Sequence, residues 1–478
     1  MSAGAGAGGA GPGAGAPPGR IHDLAVIGAG VVGSAIAREL SGYRLDVALL
    51  EARGDVGDGT SKANTALLHT GYDTTPGSLE SRLVRQGYRL LGDYAGRSGI
   101  PVERTGALLV AWSEEELRAL PALRQKALDN GSENCEPVDA AEVYRRLPSL
   151  GGGALGGLTV PGESIICTWT TSLAYATEAR MRGVELLLDH RVEGADVSAA
   201  STTLRTSAGA VRARFVVNAA GLNADLIDTL FGQQRFTVTP RRGELIVFDK
   251  LARALVGEII LPVPTRMGKG VLIAPTVYGN VMLGPTAQEI ADRQATGTSQ
   301  QGLRQLMAKG AALMPTLLRE EVTATYAGLR AKIDSDDFLI ETDPVQRYTR
   351  VGGIRSTGLT ASMAIAEHVR DQLADAGLEL AERDDLPDPP RMPNLGESFP
   401  RPYQEAERIA SDPAYGRIVC FCERVTAGEI RDAYTSVIPP ADIGGLRRRT
   451  RAMNGRCQGF FCGADVQALH DSRGSLST

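Results

Sequence analysis

Two short apolar runs, Leu24 to Ile27 and Val47 to Leu50, bracket a stretch with helical spacing from Val31 to Ser41. Four-residue runs of mostly aliphatic side chains read as buried strands, so the chain opens strand, helix, strand. Gly28, Gly30 and Gly33 form a G-x-G-x-x-G turn where the first strand gives way to the helix. Gly28 permits the tight turn, Gly30 keeps side chains away from an approaching pyrophosphate, and Gly33 lets helix and strands pack closely. The amino end of the helix then offers free N–H groups and partial positive charge to phosphate. Glu51 follows the second strand, where a carboxylate accepts hydrogen bonds from an adenosine ribose. The pattern predicts a dinucleotide site.

Beyond Glu51 the periodicity lapses into a Gly, Asp, Ser and Thr loop, which leaves Thr60, Ser61, Lys62 and Asn64 beside the expected cofactor. Helical spacing resumes from Leu79 to about Tyr94 and returns over Glu114 to Asn130, Asp139 to Leu147, Trp169 to Arg182 and Gln300 to Met314. Thr105 to Trp112 and Val184 to Leu188 read as strands, with a hairpin to Thr206. Phe215 to Asn218 is a buried strand running into NAAGLNAD, where Gly221 marks a second strand-to-helix turn. Phe236 to Phe248, Ile259 to Val263, GVLIAP and NVMLGP are strands with no helix between them, the mark of an antiparallel layer. Val322 to Lys332 is strand-like, and Val351 to Leu373 is a glycine-rich turn, with Gly353 and Gly358, feeding a long helix. The fold class expected is α/β. A Rossmann-like cofactor domain is assembled from pieces at about 21–95, 150–230 and 322–380, with an inserted antiparallel substrate-facing sheet from about 100–150 and 235–320.

The 478 residues, 43% of them hydrophobic, suffice for two or three domains. A net charge of -5 argues against a nucleic-acid surface, and no apolar run approaches the length of a membrane span. Residues 1–20 are nearly all Gly, Ala and Pro and read as a flexible tail without the charged start or leucine-rich centre of an export signal. A cytoplasmic location, at most peripheral to a membrane, is expected. Residues 381–416 read as a proline-rich linker to a module at 417–472. There Cys420, Cys422, Cys457 and Cys462 form C-x-C and C-x4-C; four thiolates suit a 2Fe-2S cluster, with zinc as the alternative metal. Cys135 and Cys167 lack such company and read as buried thiols. Arg447, Arg448, Arg449, Arg451 and Arg456 read as cations near the anionic cluster, some of them facing water.

Taken together, the Gly28 turn, Glu51, TSKANTALLHTGYDTTPGSL, NAAGLNAD and GGIRSTGLTAS resemble one family over roughly Ile21 to Ala376. It is the FAD-dependent oxidoreductases that include D-amino acid oxidase, glycerol 3-phosphate dehydrogenases and oxidases, and 2-hydroxyglutarate oxidases. TSKAN with LLHTGYD is most similar to the glycerol 3-phosphate branch, and HTGYDTTPGSL also resembles the 2-hydroxyglutarate branch. GRCQGFFC and CERVTAGEI resemble the bacterioferritin-associated-ferredoxin type of 2Fe-2S domain. The resemblance implies FAD and oxidation of a CH-OH group on a small anion. Glycerol 3-phosphate is the first expectation and a 2-hydroxy acid the alternative; a flavin and cluster protein without substrate chemistry is a third. A hydride would leave carbon for the flavin while a base takes the hydroxyl proton. By the same resemblance His69 is the base, Arg330 and Lys269 hold the substrate anion, and Ser356 faces the pocket, with Arg355 supporting its turn. Electrons would leave one at a time through the cluster to an unidentified acceptor, a redox protein or a quinone.

Overall fold

The computed structural model describes residues 19–264 and 270–474; most of the expected tail, together with Lys269, lies outside them. The first strand, His22–Ile27, lies between Val47–Leu50 and the second half of Gly209–Asn218, all parallel. Leu24 and Val26 pack on one face with the helices Val31–Leu40, Thr168–Met181 and Gly358–Asp375, while Ala25 and Ile27 pack on the other with the helix Ala224–Leu230. Both faces are covered, which is why the run is apolar without alternation. Strand Tyr348–Gly352 extends the sheet in parallel, and the hairpin Val192–Val197 with Thr202–Thr206 extends it in antiparallel.

A second, nine-stranded sheet is the expected antiparallel layer, with a single parallel pairing between Ile259–Pro262 and Ala107–Ala111. Two of its strands were expected on the cofactor side. Gly156–Val160 pairs with Ala107–Ala111, and Val322–Lys332 runs the full length of Thr239–Phe248. The pieces expected at 150–230 and 322–380 are corrected accordingly: residue spacing identifies a strand without naming its partner.

A three-stranded ribbon joins the two layers, with Ser164–Ile166 between Leu67–Leu68 and Val102–Glu103. The proline-rich stretch at 381–416 lies against the rest of the molecule. Met392 N–H donates to the Ser98 carbonyl at 2.8 Å and Glu397 N–H to that of Val277 at 2.9 Å. Extended proline-rich backbone makes no bonds within itself, so its amides find partners outside. The terminal module pairs Ile418–Cys420 with Val425–Thr426 and adds the helices Ala427–Thr435, Ile443–Thr450 and Gly463–Asp471 around Val425, Ile430, Leu446 and Val466. Among the described residues no helix is long and apolar enough to cross a membrane.

Candidate active site and cluster

The glycine turn is built as its spacing demands. Gly28 has φ +102°, and a Cβ there would meet the Ala219 carbonyl oxygen at 2.6 Å; one on Gly33 would meet that of Gly28 at 1.8 Å. A Cβ on Gly30 would project toward Ser61 Oγ, 3.2 Å away, beside the open end of the first helix. That helix has no side-chain cap and no acid in its first turn, and Val31 N–H donates to Ser61 Oγ at 2.9 Å. The site is therefore a cradle of amide donors that a side chain at position 30 would fill, and it fits a pyrophosphate. Glu51 accepts from Ala29 N–H at 2.8 Å and Arg53 N–H at 3.0 Å. Burial raises its pKa, those N–H groups counteract the rise, and its remaining lone pairs are free for ribose hydroxyls. Gly221 (φ +56°) and Gly353 (φ +70°) form the other two turns, and Gly358 begins a second helix without a side-chain cap.

The loop after Glu51 is stitched down. Thr60 Oγ1 donates to the Leu329 carbonyl at 3.0 Å, and Lys62 pairs with Asp58 at 2.8 Å. The Asn64 amide bonds Thr168 Oγ1, the Ser61 carbonyl and Ala66 N–H. Ser61 meets the helix end, while Thr60, Lys62 and Asn64 hold the loop in shape.

Strand Val322–Lys332 crosses directly over this loop. A Cβ on Gly328 would come within 2.0 Å of the Ala63 carbonyl oxygen, and Tyr326 OH donates to that of Asn64 at 2.7 Å. Two residues on, Arg330 stands cross-strand from Arg241. Among the described residues Arg330 has no carboxylate partner, while Arg241 also stands cross-strand from Glu289. Arg330 Nη1 reaches only the Thr286 carbonyl, at 3.5 Å, and Arg241 Nε is buried without a partner. Burial, and then the charge of Arg241, bring the Arg330 pKa down to about 10. A cation desolvated without counter-charge costs on the order of several kcal/mol, a cost that an anion placed beside Arg330 would offset. Arg241 escaped the sequence reading, although Arg241 and Arg242 are adjacent in a strand and so point to opposite faces. Arg242 bonds Gln288 at 2.7 Å, which leaves Arg241 on the face of Arg330.

His69 ends the loop segment. Its N–H donates to Thr360 Oγ1 at 3.0 Å, its Nδ1 lies 2.9 Å from Glu163 Oε1 and its Nε2 lies 3.1 Å from Asp73 Oδ1. Burial alone would lower its pKa, but the Glu163 charge and the bonds to both carboxylates raise it to about 10. In this state the ring is an imidazolium with both nitrogens engaged. No hydrogen bond or ion pair among the described residues joins His69 to Arg330. Ser356 is exposed in the turn before the long helix, and Arg355 spans that turn by pairing with Glu80 at 3.2 Å.

In the module, the Cys422 thiol interacts with that of Cys457, and the Cys462 thiol with that of Cys420. Phe460 N–H donates to the Cys457 carbonyl at 2.9 Å, and the backbone amides of this turn, that of Phe461 above all, lower the Cys457 pKa. Two thiol pairs with amide donors around them fit a 2Fe-2S cluster, in which each iron takes two thiolates. Most of the arginine run serves another purpose than the one expected. Arg449 gives both branches to Asp55 at 2.8 Å, and Arg448 pairs with Asp55 and Asp58 at 2.8 Å each. Arg451 pairs with Glu423 at 2.8 Å and lies 4.2 Å from the Tyr278 ring centre, while Arg456 pairs with Asp249 at 2.7 Å. Arg448, Arg449 and Arg456 fasten the module to the larger domain through Asp55, Asp58 and Asp249, and Arg451 does so through Tyr278 and Asn280.

The FAD dependent oxidoreductase family matches residues 23–372, and the BFD-like 2Fe-2S binding domain matches residues 418–471. The chain belongs to that oxidoreductase family, and its cofactors are FAD and a 2Fe-2S cluster. The α/β fold with its small iron-sulfur module is as the sequence led one to expect. The chain is 33% identical to a glycerol 3-phosphate dehydrogenase of Caloramator mitchellensis over 450 residues, 93% of this chain and 92% of the relative. A glycerol 3-phosphate oxidase of Mycoplasma pneumoniae is 30% identical over 356 residues, 72% of this chain and 92% of the relative. The dithionite-reduced L-alpha-glycerophosphate oxidase of Mycoplasma pneumoniae with FAD bound superposes with a TM-score of 0.74 at 27% identity, covering 78% of this chain and 100% of that one.

Proposed function

We propose that this enzyme is a glycerol 3-phosphate dehydrogenase that oxidises the secondary alcohol to the ketone of dihydroxyacetone phosphate. The observation that carries the reading is Arg330, half-buried over the loop expected beside the flavin, cross-strand from a second arginine, Arg241, and without a carboxylate partner among the described residues. Two guanidinium groups suit a phosphate dianion, and the names of the two curated relatives described above point to the same substrate. Bound FAD supplies the hydride acceptor, and the cluster supplies a one-electron exit to a separate redox partner. Arg330 and Arg241 hold the phosphate, with Lys269 as a third cation. His69 takes the hydroxyl proton at Nε2 once Asp73 gives up that atom. The clamped module favours an internal electron exit over direct reaction with oxygen.

The test is a comparison of kcat/KM for glycerol 3-phosphate and L-2-hydroxyglutarate with an artificial acceptor, alongside peroxide measured in air. A preference for glycerol 3-phosphate with little peroxide is expected. Preference for the hydroxy acid would overturn the substrate, and peroxide matching turnover in the wild-type enzyme, unchanged in a Cys422→Ser variant, would overturn the electron exit.

A further inference from the structure

Sheet pairing brings one buried acid to His69. In the ribbon, Leu67 stands opposite Ile165 and Leu68 opposite Ser164, so the next step of the antiparallel register sets His69 beside Glu163. Glu163 is 0% exposed, and its Oε1 accepts from Thr70 N–H at 2.7 Å, Thr70 Oγ1 at 2.7 Å and His69 Nδ1 at 2.9 Å. Three donors on one oxygen leave this carboxylate no room to swing away. Asp73 reaches the other ring nitrogen from a turn at Gly71, which has φ +83°. Tyr72 closes the remaining side, its ring edge-on to the imidazole at 5.4 Å. We infer that Glu163 is a positioning residue: it keeps a proton on His69 Nδ1 and so makes Nε2 the atom that exchanges protons, with Asp73 as the partner that yields it.

This inference rests on the assignment of His69 as the base. The balanced step is short. The imidazolium first loses its Nε2 proton to solvent, and Asp73 turns away from the neutral ring. The substrate hydroxyl proton then moves to Nε2 as the carbon–oxygen bond becomes a carbonyl and the hydride leaves carbon with its electron pair for the bound flavin. Nδ1–H stays on Glu163 throughout. Discharging the ring beside two buried carboxylates leaves them without a cation, so the Glu163 charge opposes that discharge and delays it to higher pH. Glu163 thereby fixes both the tautomer and the pH at which the site becomes active.

Glu163→Gln keeps the size and acceptor oxygen but removes the charge. In the FAD-loaded enzyme, the rising limb of flavin reduction against pH is expected to move down by a unit or more, with the plateau about tenfold lower because a neutral amide oxygen holds the Nδ1 proton less firmly and leaves Nε2 less basic. Glu163→Asp, which keeps the charge, is expected to leave the limb near its wild-type position. His69 is also read directly, by NMR of ring-labelled histidine in FAD-loaded protein without substrate, with His69→Gln for assignment. Its titration should fall toward the ordinary histidine range in Glu163→Gln. An unmoved limb and an unmoved His69 titration in Glu163→Gln would overturn the inference. Undiminished flavin reduction in His69→Gln would instead overturn the choice of base, a failure seen in a different variant.

Discussion

Arg449→Ala tests whether the iron-sulfur module is part of the flavin site or a freely tethered attachment. Arg449 is 5% exposed and gives both guanidinium branches to Asp55, itself 3% exposed, in the loop between Glu51 and Ser61. Removing one partner of a buried pair costs about 3–5 kcal/mol, because the charge left behind stays desolvated. Arg448 remains on Asp55 at 2.8 Å, and one charged hydrogen bond returns about 1.5 kcal/mol. The net loss is about 2–3 kcal/mol, which makes opening of the contact about 30- to 150-fold more frequent. Amide hydrogen exchange on the protein loaded with both cofactors reads this in two places, the helix Ile443–Thr450 and the loop at 55–62. Both should exchange faster by that factor, and FAD should dissociate faster in the same variant. Exchange within twofold of wild type in a folded variant, or acceleration confined to the module, would refute the reasoning that the clamp shapes the loop.

Arg330→Met should raise KM for glycerol 3-phosphate about 10- to 100-fold, since a charge-assisted bond to phosphate is worth about 1.5–3 kcal/mol. Arg241→Met should do the same to a lesser degree; steady-state kinetics reads both. Cys422→Ser should abolish the cluster's absorbance and lower iron content while substrate still bleaches the flavin. The His69 pKa is raised from the usual 6.5 to about 10, so the ion pairs contribute stability that is complete below about pH 6.5 and lost as pH climbs through 10. Denaturant midpoints should therefore fall between about pH 6 and about pH 10 by more in wild type than in His69→Gln. Gly30→Ala should weaken FAD binding about tenfold or more in a fluorescence titration, because its Cβ would enter the phosphate cradle.

What the sequence made legible was local. Gly28, Gly30 and Gly33 each answer a steric demand within a few residues, so the turn could be read and its chemistry inferred without a structure. Most strands and helices also declared themselves, because the run Leu24 to Ile27 or the spacing of Gln300 to Met314 carries its own period. What stayed hidden was non-local. Val322–Lys332 reads as a strand, yet only pairing with Thr239–Phe248 sets Arg330 across from Arg241. Glu163 sits in an unremarkable turn, 94 residues from the histidine it holds, and the ribbon that joins them is made of strands two and three residues long. The arginines at 448, 449 and 456 looked like cluster electrostatics because their partners, Asp55, Asp58 and Asp249, lie hundreds of residues earlier. Sequence shows charge, and only folding shows to whom it is paid.

The central claim is that electrons from glycerol 3-phosphate enter at the flavin and leave through the cluster of the same chain. Anaerobic rapid mixing of the fully loaded enzyme with glycerol 3-phosphate, following flavin and cluster absorbance together, tests it most directly. The flavin should bleach first and the cluster after it, with only the second phase missing in Cys422→Ser. A flavin that keeps its colour, or a cluster that stays oxidised beside a bleached flavin, would contradict the account.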